Sequence, residues 1–189
     1  AAMGASTYSY SYDDIGNRAW SAENALTNTY AANSLNQYTN ILCVPAPLRL
    51  DYDADGNMLT NGVWSYARDA ENRMTGAASN GVPAVSNAYD HRHRRIRKET
   101  AAGTRLFAYD GWNLTAEVVV DAQTGTTNMT RYLWGQDVSG TLQGAGGVGG
   151  LLAVVRNGTP YFPCYDANGN VTDYVDAAGN IRAHYEYSP

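Results

Sequence analysis

The sequence predicts an all-β protein built of antiparallel hairpin repeats, and three features support this fold class. A Tyr-Asp dipeptide, followed by a Gly-Asn or Asn-Arg turn, recurs along the 189 residues. Polar and apolar residues alternate with a period of two near both ends, which is typical of strands. The 19 glycines, with many Asn and Asp residues, indicate many turns. Because one strand-plus-turn unit cannot bury its apolar face alone, neighbouring copies are expected to stack.

The repeat signature varies in spacing and in completeness. It is clearest in the segments that begin at residues 12, 52 and 165, and it is weaker at residue 66. Residues 35–39, in the first long gap, are interpreted as an eroded unit. The residues predicted to form the structural repeat motif are Tyr12, Asp13, Gly16, Tyr52, Asp53, Gly56, Tyr89, Asp90, Tyr109, Asp110, Tyr165, Asp166 and Gly169.

Individual strands and turns follow from local patterns. Tyrosines occupy alternate positions in residues 8–12 and 183–187, so each of these segments is predicted to be a strand with a tyrosine face. Asn-Gly dipeptides at Asn61 and Asn157 lie between apolar residues, which is a strong hairpin signal. Residues 21–30 are a single weak candidate for a helix.

Two stretches interrupt the strand pattern. Residues 77–87 are small and polar and contain Pro83, so we expect a mobile loop there. Pro45 and Pro47 indicate a connection or an edge strand. Residues 1–189 are otherwise expected to be one repeat region, excised from a longer protein.

Composition narrows the function classes. A net charge of −5 and a pI near 5.0 argue against general nucleic-acid binding. The sequence has no apolar run of membrane-spanning length and no signal-peptide pattern. Cys43 and Cys164 are too few for a disulfide scaffold and are interpreted as inert thiols, although a bridge between them stays open.

Two motifs suggest ligands but are better explained as turns. Residues 144–149 match G-x-G-x-x-G, yet a β-branched run follows where a nucleotide site needs a helix, so a tight crossover is predicted. Residues 53–57 and 166–170 carry acidic and amide side chains, but glycine comes too early for a calcium loop. Asp and Asn bond their own backbone in turns, so no cofactor or metal is expected.

A basic octamer at residues 91–98 is interpreted as a solvated strand, with an interaction patch as the alternative. His93 stands where other repeats have their turn glycine. No combination of nucleophile, base and orienting residue is visible in the sequence. We therefore expect no catalytic residue and no enzyme activity.

These repeats resemble the YD-repeat family, also called Rhs-repeat proteins, over nearly the full chain. The most specific part is residues 131–152, which is similar to a conserved segment of bacterial Rhs cores. The resemblance implies a long, curved β-sheet strip that forms part of a hollow shell. In such proteins the shell encloses a C-terminal toxin, so the implied function is a secreted or cell-surface bacterial scaffold.

The partners implied are the rest of the protein's own Rhs core and an enclosed toxin domain, with no nucleic acid and no membrane span. The alternative is a carbohydrate-binding or cell-surface adhesion module, since exposed aromatic rings stack on sugars. The candidate glycan-stacking residues are Trp20, Trp64, Trp112 and Trp134. Edge-to-edge self-association is a further expectation, because an open strip presents unpaired backbone groups.

Overall fold

A computed structural model describes residues 7–43 and 46–187, and it confirms the all-β prediction. The described residues form 18 strands and no helix. All strand pairs with a defined register are antiparallel, and neighbours in the sequence pair with each other. The chain divides into two compact units, residues 1–84 and 85–189, with the division inside the tenth strand. The prediction of one continuous repeat region stays a prediction.

The first unit contains a five-stranded sheet, β1–β5 in chain order, and a second run of paired strands, β6–β9. The tyrosine face predicted at residues 8–12 lies on β1. The strands are β1 (Tyr8–Tyr12), β2 (Arg18–Glu23), β3 (Leu26–Ala32), β4 (Tyr38–Leu42), β5 (Leu48–Arg49), β6 (Asp51–Tyr52), β7 (Met58–Thr60), β8 (Trp64–Arg68) and β9 (Met74–Ser79).

The second unit continues the same hairpin order. Its longest connection is the segment between β14 and β15, which contains the glycine-rich residues 144–149. The strands are β10 (Val82–Tyr89), β11 (Arg95–Thr100), β12 (Gly103–Asp110), β13 (Asn113–Asp121), β14 (Thr127–Trp134), β15 (Leu151–Arg156), β16 (Thr159–Tyr165), β17 (Val171–Val175) and β18 (Ile181–His184).

The hydrophobic core is thin. Leu50 and Ala153 are the buried hydrophobic residues in the described part of the chain, each 7% exposed. Large apolar side chains, Trp112 and Leu133 among them, remain exposed on the strands and turns. Since so little apolar surface is buried, the order of the strands depends strongly on backbone pairing and on the hydrogen bonds of the turns.

Two local predictions are wrong. Residues 21–30 form β2 and β3, joined by a two-residue turn in which Asn24 has a φ of 53°. Residues 77–87, expected to be a loop, belong to β9 and β10, which are joined at Asn80 and Gly81. Both turn residues have positive φ, 48° and 78°, as a tight hairpin turn requires. This Asn-Gly pair is a hairpin signal that outweighs the small, polar composition around it.

Pro83 lies in β10 ahead of Ser86, where the pairing of β10 with β11 begins. Pro47 lies just before the two-residue strand β5, and Pro45 lies outside the described residues. No helix in the described ranges has the length and hydrophobicity to cross a bilayer.

Candidate functional site

The Tyr-Asp signature forms a hairpin turn organised by its aspartate. In the repeat at Asp53, the Oδ1 atom accepts hydrogen bonds from the backbone N–H groups of Asp55 at 3.0 Å and Asn57 at 2.7 Å. The Nδ2 group of Asn57 donates to Oδ2 at 3.0 Å. Gly56 closes the turn by donating to the Asp53 carbonyl at 3.1 Å, with a φ of 86°. Both oxygens of the carboxylate therefore accept hydrogen bonds from their own turn.

The same backbone turn recurs with aspartate or asparagine in first place and a positive-φ residue in fourth place. A one-residue shift of strand register, a β-bulge, lies just before each first residue. The turn closed by Asn33 and Gln37 overlaps residues 35–39, where an eroded unit is predicted. The first residues are Asp13, Asn33, Asp53, Asp69, Asp90, Asp166 and Asp176.

Hydrogen bonding lowers the pKa of these carboxyl groups. The Asn57 side chain is the main cause at Asp53, and the Asn170 side chain is the main cause at Asp166. Both aspartates belong to the segments whose acidic and amide side chains suggest a calcium loop, residues 53–57 and 166–170. In both, the oxygens that a metal would need accept hydrogen bonds from within the turn.

Arginine replaces asparagine in two of the turns. Arg94 donates to Asp90 Oδ2 from Nε at 2.8 Å and pairs through Nη2 at 2.7 Å. Desolvation raises the pKa of Asp90, but hydrogen bonds from Arg94 and Arg92 outweigh it and lower the pKa to about 2. His93 takes the glycine position with a φ of 61°, and the two backbone hydrogen bonds of the turn remain. The turn thus keeps its geometry without glycine.

Three tyrosine hydroxyls connect the hairpin that they belong to with a neighbouring strand. Tyr52 donates to the carbonyl of Tyr38 at 2.8 Å, and Tyr165 donates to the carbonyl of Leu151 at 2.6 Å. Tyr109 makes the equivalent bond to Arg95 at 2.9 Å. Each of these bonds spans 14 residues, so it links successive hairpins.

The repeat prediction is wrong at Asp110. This residue ends β12 and pairs with Asn113 across a two-residue turn, in which Gly111 has a φ of 57°. The short turn has no room for the five-residue hydrogen-bond pattern of the other repeats. Instead, the Asp110 carbonyl accepts a hydrogen bond from Gln143 Nε2 at 2.9 Å.

The glycine-rich crossover between β14 and β15 folds around the carboxylate of Asp137. Oδ1 accepts from the Ser139 backbone N–H at 2.9 Å and from its hydroxyl at 2.5 Å. Oδ2 accepts from the N–H groups of Ala145 at 2.7 Å and Gly147 at 3.1 Å. Asp137 is 6% exposed, and the Ser139 side chain is the main cause that lowers its pKa to about 2. The loop therefore holds an internal anion in a backbone nest.

The crossover packs over the β12–β13 turn. Gln143 Oε1 accepts a hydrogen bond from the backbone N–H of Trp112 at 3.1 Å. The indole N–H of Trp134 donates to the Leu114 carbonyl at 2.6 Å. A Cβ atom on Gly147 would lie 2.8 Å from Asn113 Oδ1, so glycine is required for this approach. The role of Asp137 in the crossover was not predicted from the sequence, although an aspartate two residues before a serine is a recognisable turn signal.

The four tryptophans predicted to stack on glycans are distributed over both units. Trp20 and Trp64, each 37% exposed, lie on β2 and β8 of the first unit. Trp112 is 64% exposed in the β12–β13 turn, whereas the Trp134 indole is engaged in the crossover. Their role in glycan binding stays a prediction.

The basic octamer lies in a turn and on β11, and several of its cations have partners. Arg94 pairs with Asp90, and Arg97 pairs with Glu99. The Arg95 guanidinium lies 5.3 Å from the centre of the Phe107 ring. The alternative of an interaction patch stays a prediction. Cys43 and Cys164 are unbridged thiols.

A tyrosine-lined cleft of about 550 Å³ lies on one face of β14–β18. Its walls carry Tyr132, Tyr161, Tyr174 and Tyr185, with Arg156 and the ion pair of Asp176 and Arg182. The strand register aligns Tyr132, Val154 and Tyr161 in one row across three strands. The sequence analysis did not anticipate this cleft, because its residues come from five strands.

No protein-family model matches the chain. Over 184 residues, the chain is 29% identical to the tRNA3(Ser)-specific nuclease WapA of Bacillus spizizenii and 29% identical to the tRNA nuclease WapA of Bacillus subtilis strain 168. These matches cover 94% of the chain and 7% of each relative. The chain is also 29% identical over 157 residues to the tRNA(Glu)-specific nuclease WapA of Bacillus subtilis subsp. natto. This match covers 82% of the chain and 6% of the relative.

The chain thus spans about 7% of the length of the first two curated relatives that it matches. Their names contradict the prediction that the protein is not an enzyme, because each relative is a nuclease. That prediction rested on the absence of catalytic patterns from these 189 residues, which correspond to only 7% of each of the first two relatives.

Proposed function

We propose that this chain is a scaffold segment of a large bacterial nuclease that acts on tRNA and is delivered as a secreted, polymorphic toxin. Its hairpin repeats would form part of a shell around the nuclease region. The observation that carries the proposal is the repeated turn, in which the aspartate carboxylate is held by hydrogen bonds from within the repeat.

Three properties support a wall of sheet one layer thick. Each repeat satisfies its turn locally, so copies can be added without a new core. Tyrosine hydroxyl bonds link successive hairpins. Few apolar residues are buried, which suits a sheet with two open faces. The similarity to three tRNA nucleases supports the part of the proposal that assigns the whole protein as a nuclease acting on tRNA.

Limited proteolysis of the full-length protein tests this proposal. We expect the nuclease region to resist protease in the wild type. Replacing Asp53 and Asp166 together by alanine opens two turns, so protease should then release that region at a higher rate. The matched control replaces Asp14 and Asp55, exposed positions in two of these turns. Equal protease sensitivity of the nuclease region with and without these repeats would refute the shell.

A second candidate function, carbohydrate binding or cell-surface adhesion, rests on Trp112. Its side chain is 64% exposed at a hairpin turn, where a ring is accessible to a ligand. We expect a Trp112→Ala variant to lose glycan-array signals while it retains its fold. An array without signals for the wild type would remove this candidate.

A further inference from the structure

The tyrosine-lined cleft differs from the repeat tyrosines in how its hydroxyl groups are used. The hydroxyls of Tyr161, Tyr174 and Tyr185 make no hydrogen bond to another group within residues 7–43 and 46–187. Tyr132 makes only a long contact, 3.4 Å, to Glu117. Burial is the main cause that raises the pKa values of Tyr132 and Tyr174, so both hydroxyls stay protonated at neutral pH. The cleft therefore presents hydrogen-bond donors to a ligand.

The cleft also carries one uncompensated positive charge. Arg182 pairs with Asp176 at 2.7 Å, so these two charges balance. Arg156 has no carboxylate within ion-pair distance in the part of the chain that the structure describes. A ligand with a negative charge complements Arg156.

The rings stand as walls rather than as a flat platform. The centres of Tyr174 and Tyr185 are 6.3 Å apart, and their planes meet at 80°. This edge-to-face pair is in direct contact, so the two rings form one wall of the cleft, against which a compact, nonpolar ring can pack. Parallel rings would be needed to sandwich a flat nucleobase.

The carboxylate that lines the cleft, Asp176, is already engaged. Asp176 accepts from the N–H groups of Ala178 and Asn180, each at 2.9 Å, in addition to Arg182. Its oxygens are therefore not available to accept from the many hydroxyls of a sugar. What remains are hydroxyl donors, aromatic walls and one cation.

We propose that this cleft binds a proline-rich peptide segment that carries an acidic residue. A polyproline II segment has no internal hydrogen bonds, so its carbonyl groups accept from the tyrosine hydroxyls. Its proline rings pack against the tyrosine rings that line the cleft, and its carboxylate pairs with Arg156. The inference is independent of the proposed nuclease function.

Fluorescence anisotropy with a labelled synthetic decapeptide, glutamate at every third position and proline elsewhere, tests this proposal on the full chain. We expect a Kd on the order of 10⁻⁴ M or tighter. Arg156→Gln should weaken binding about fivefold or more, and the double variant Tyr161→Phe with Tyr174→Phe should weaken it about tenfold. The matched control Tyr12→Phe, on β1 of the first unit, should leave the Kd unchanged.

Amide NMR shifts locate the peptide. We expect shifts confined to β14–β18, and about tenfold weaker binding when lysine replaces each glutamate in the peptide. Undetectable binding, equal binding of the lysine peptide, or shifts outside these strands would overturn the proposal. So would an acidic oligosaccharide that binds these strands while the peptide does not.

Discussion

The hairpin repeats and the glycine-rich crossover both hold a carboxylate by hydrogen bonds, but they do so over different distances along the chain. Asp53 accepts from residues two and four positions later, in an exposed turn. Asp137 accepts from Ser139 but also from Ala145 and Gly147, eight and ten positions later, and it is buried. Each repeat turn therefore closes within five residues, whereas the crossover depends on one side chain that binds residues up to ten positions away.

The largest expected effect is at that side chain. In Asp137→Asn, one carboxylate oxygen becomes an amide that faces backbone N–H groups, so the crossover loses charge-assisted hydrogen bonds. We expect the melting temperature to fall by on the order of 10 °C. Circular dichroism measures this change, with Asp55→Asn as the control, because no hydrogen bond involves the Asp55 side chain in the described residues. Equal melting temperatures for the two variants would show that Asp137 does not organise the crossover.

A repeat aspartate should matter less. Asp166→Ala removes the acceptor of Asn168, Asn170 and the Asn170 side chain, and we expect a melting temperature about 5 °C lower. When Asp166→Ala is combined with Asp53→Ala, the loss in the free energy of unfolding should equal the sum of the losses in the two single variants. Turns that share no partner act independently. A double effect much larger than this sum would mean that the turns are coupled and would remove the contrast with the crossover.

The tyrosine hydroxyls should contribute a smaller amount. Tyr165→Phe deletes the donor to the Leu151 carbonyl while it keeps the ring, and we expect a loss of about 1 kcal/mol in the free energy of unfolding. Urea denaturation measures it. The matched control is Tyr161→Phe on the same strand, whose hydroxyl has no hydrogen-bond partner in the described residues, so its effect should be close to zero. A larger loss in the free energy of unfolding for Tyr161→Phe than for Tyr165→Phe would contradict the role given to the repeat tyrosines.

The smallest effect concerns backbone strain. His93 has a φ of 61°, a conformation that glycine adopts without a steric cost. Glycine also makes the unfolded chain more flexible, which offsets part of the gain. For His93→Gly we expect a net stabilisation of about 0.5 kcal/mol by urea denaturation. A clear loss would mean that the interactions of His93 stabilise the turn by more than the strain costs.

The sequence allowed the fold class and most of the turns to be predicted, because Asp, Gly and Asn act within five residues of each other. It failed at Asp110, where the dipeptide is present but the turn is shorter. It also missed Asp137 and the tyrosine-lined cleft. Both depend on residues that are brought together by strand pairing or by the crossover, and local patterns contain no information about those approaches.

The most direct test that hydrogen bonds hold the aspartate carboxylates, both in the turns and in the crossover, is a carbon NMR titration of the aspartate carboxyl groups. The pKa of Asp137 should be about 2, against an ordinary value of 3.8, and that of Asp53 should lie below 3.8. Because folding lowers the pKa of Asp137, the stabilisation from its carboxylate is complete above about pH 4 and is lost as the pH falls through about 2. An Asp137 carboxyl that titrates at 3.8 or higher would contradict the account.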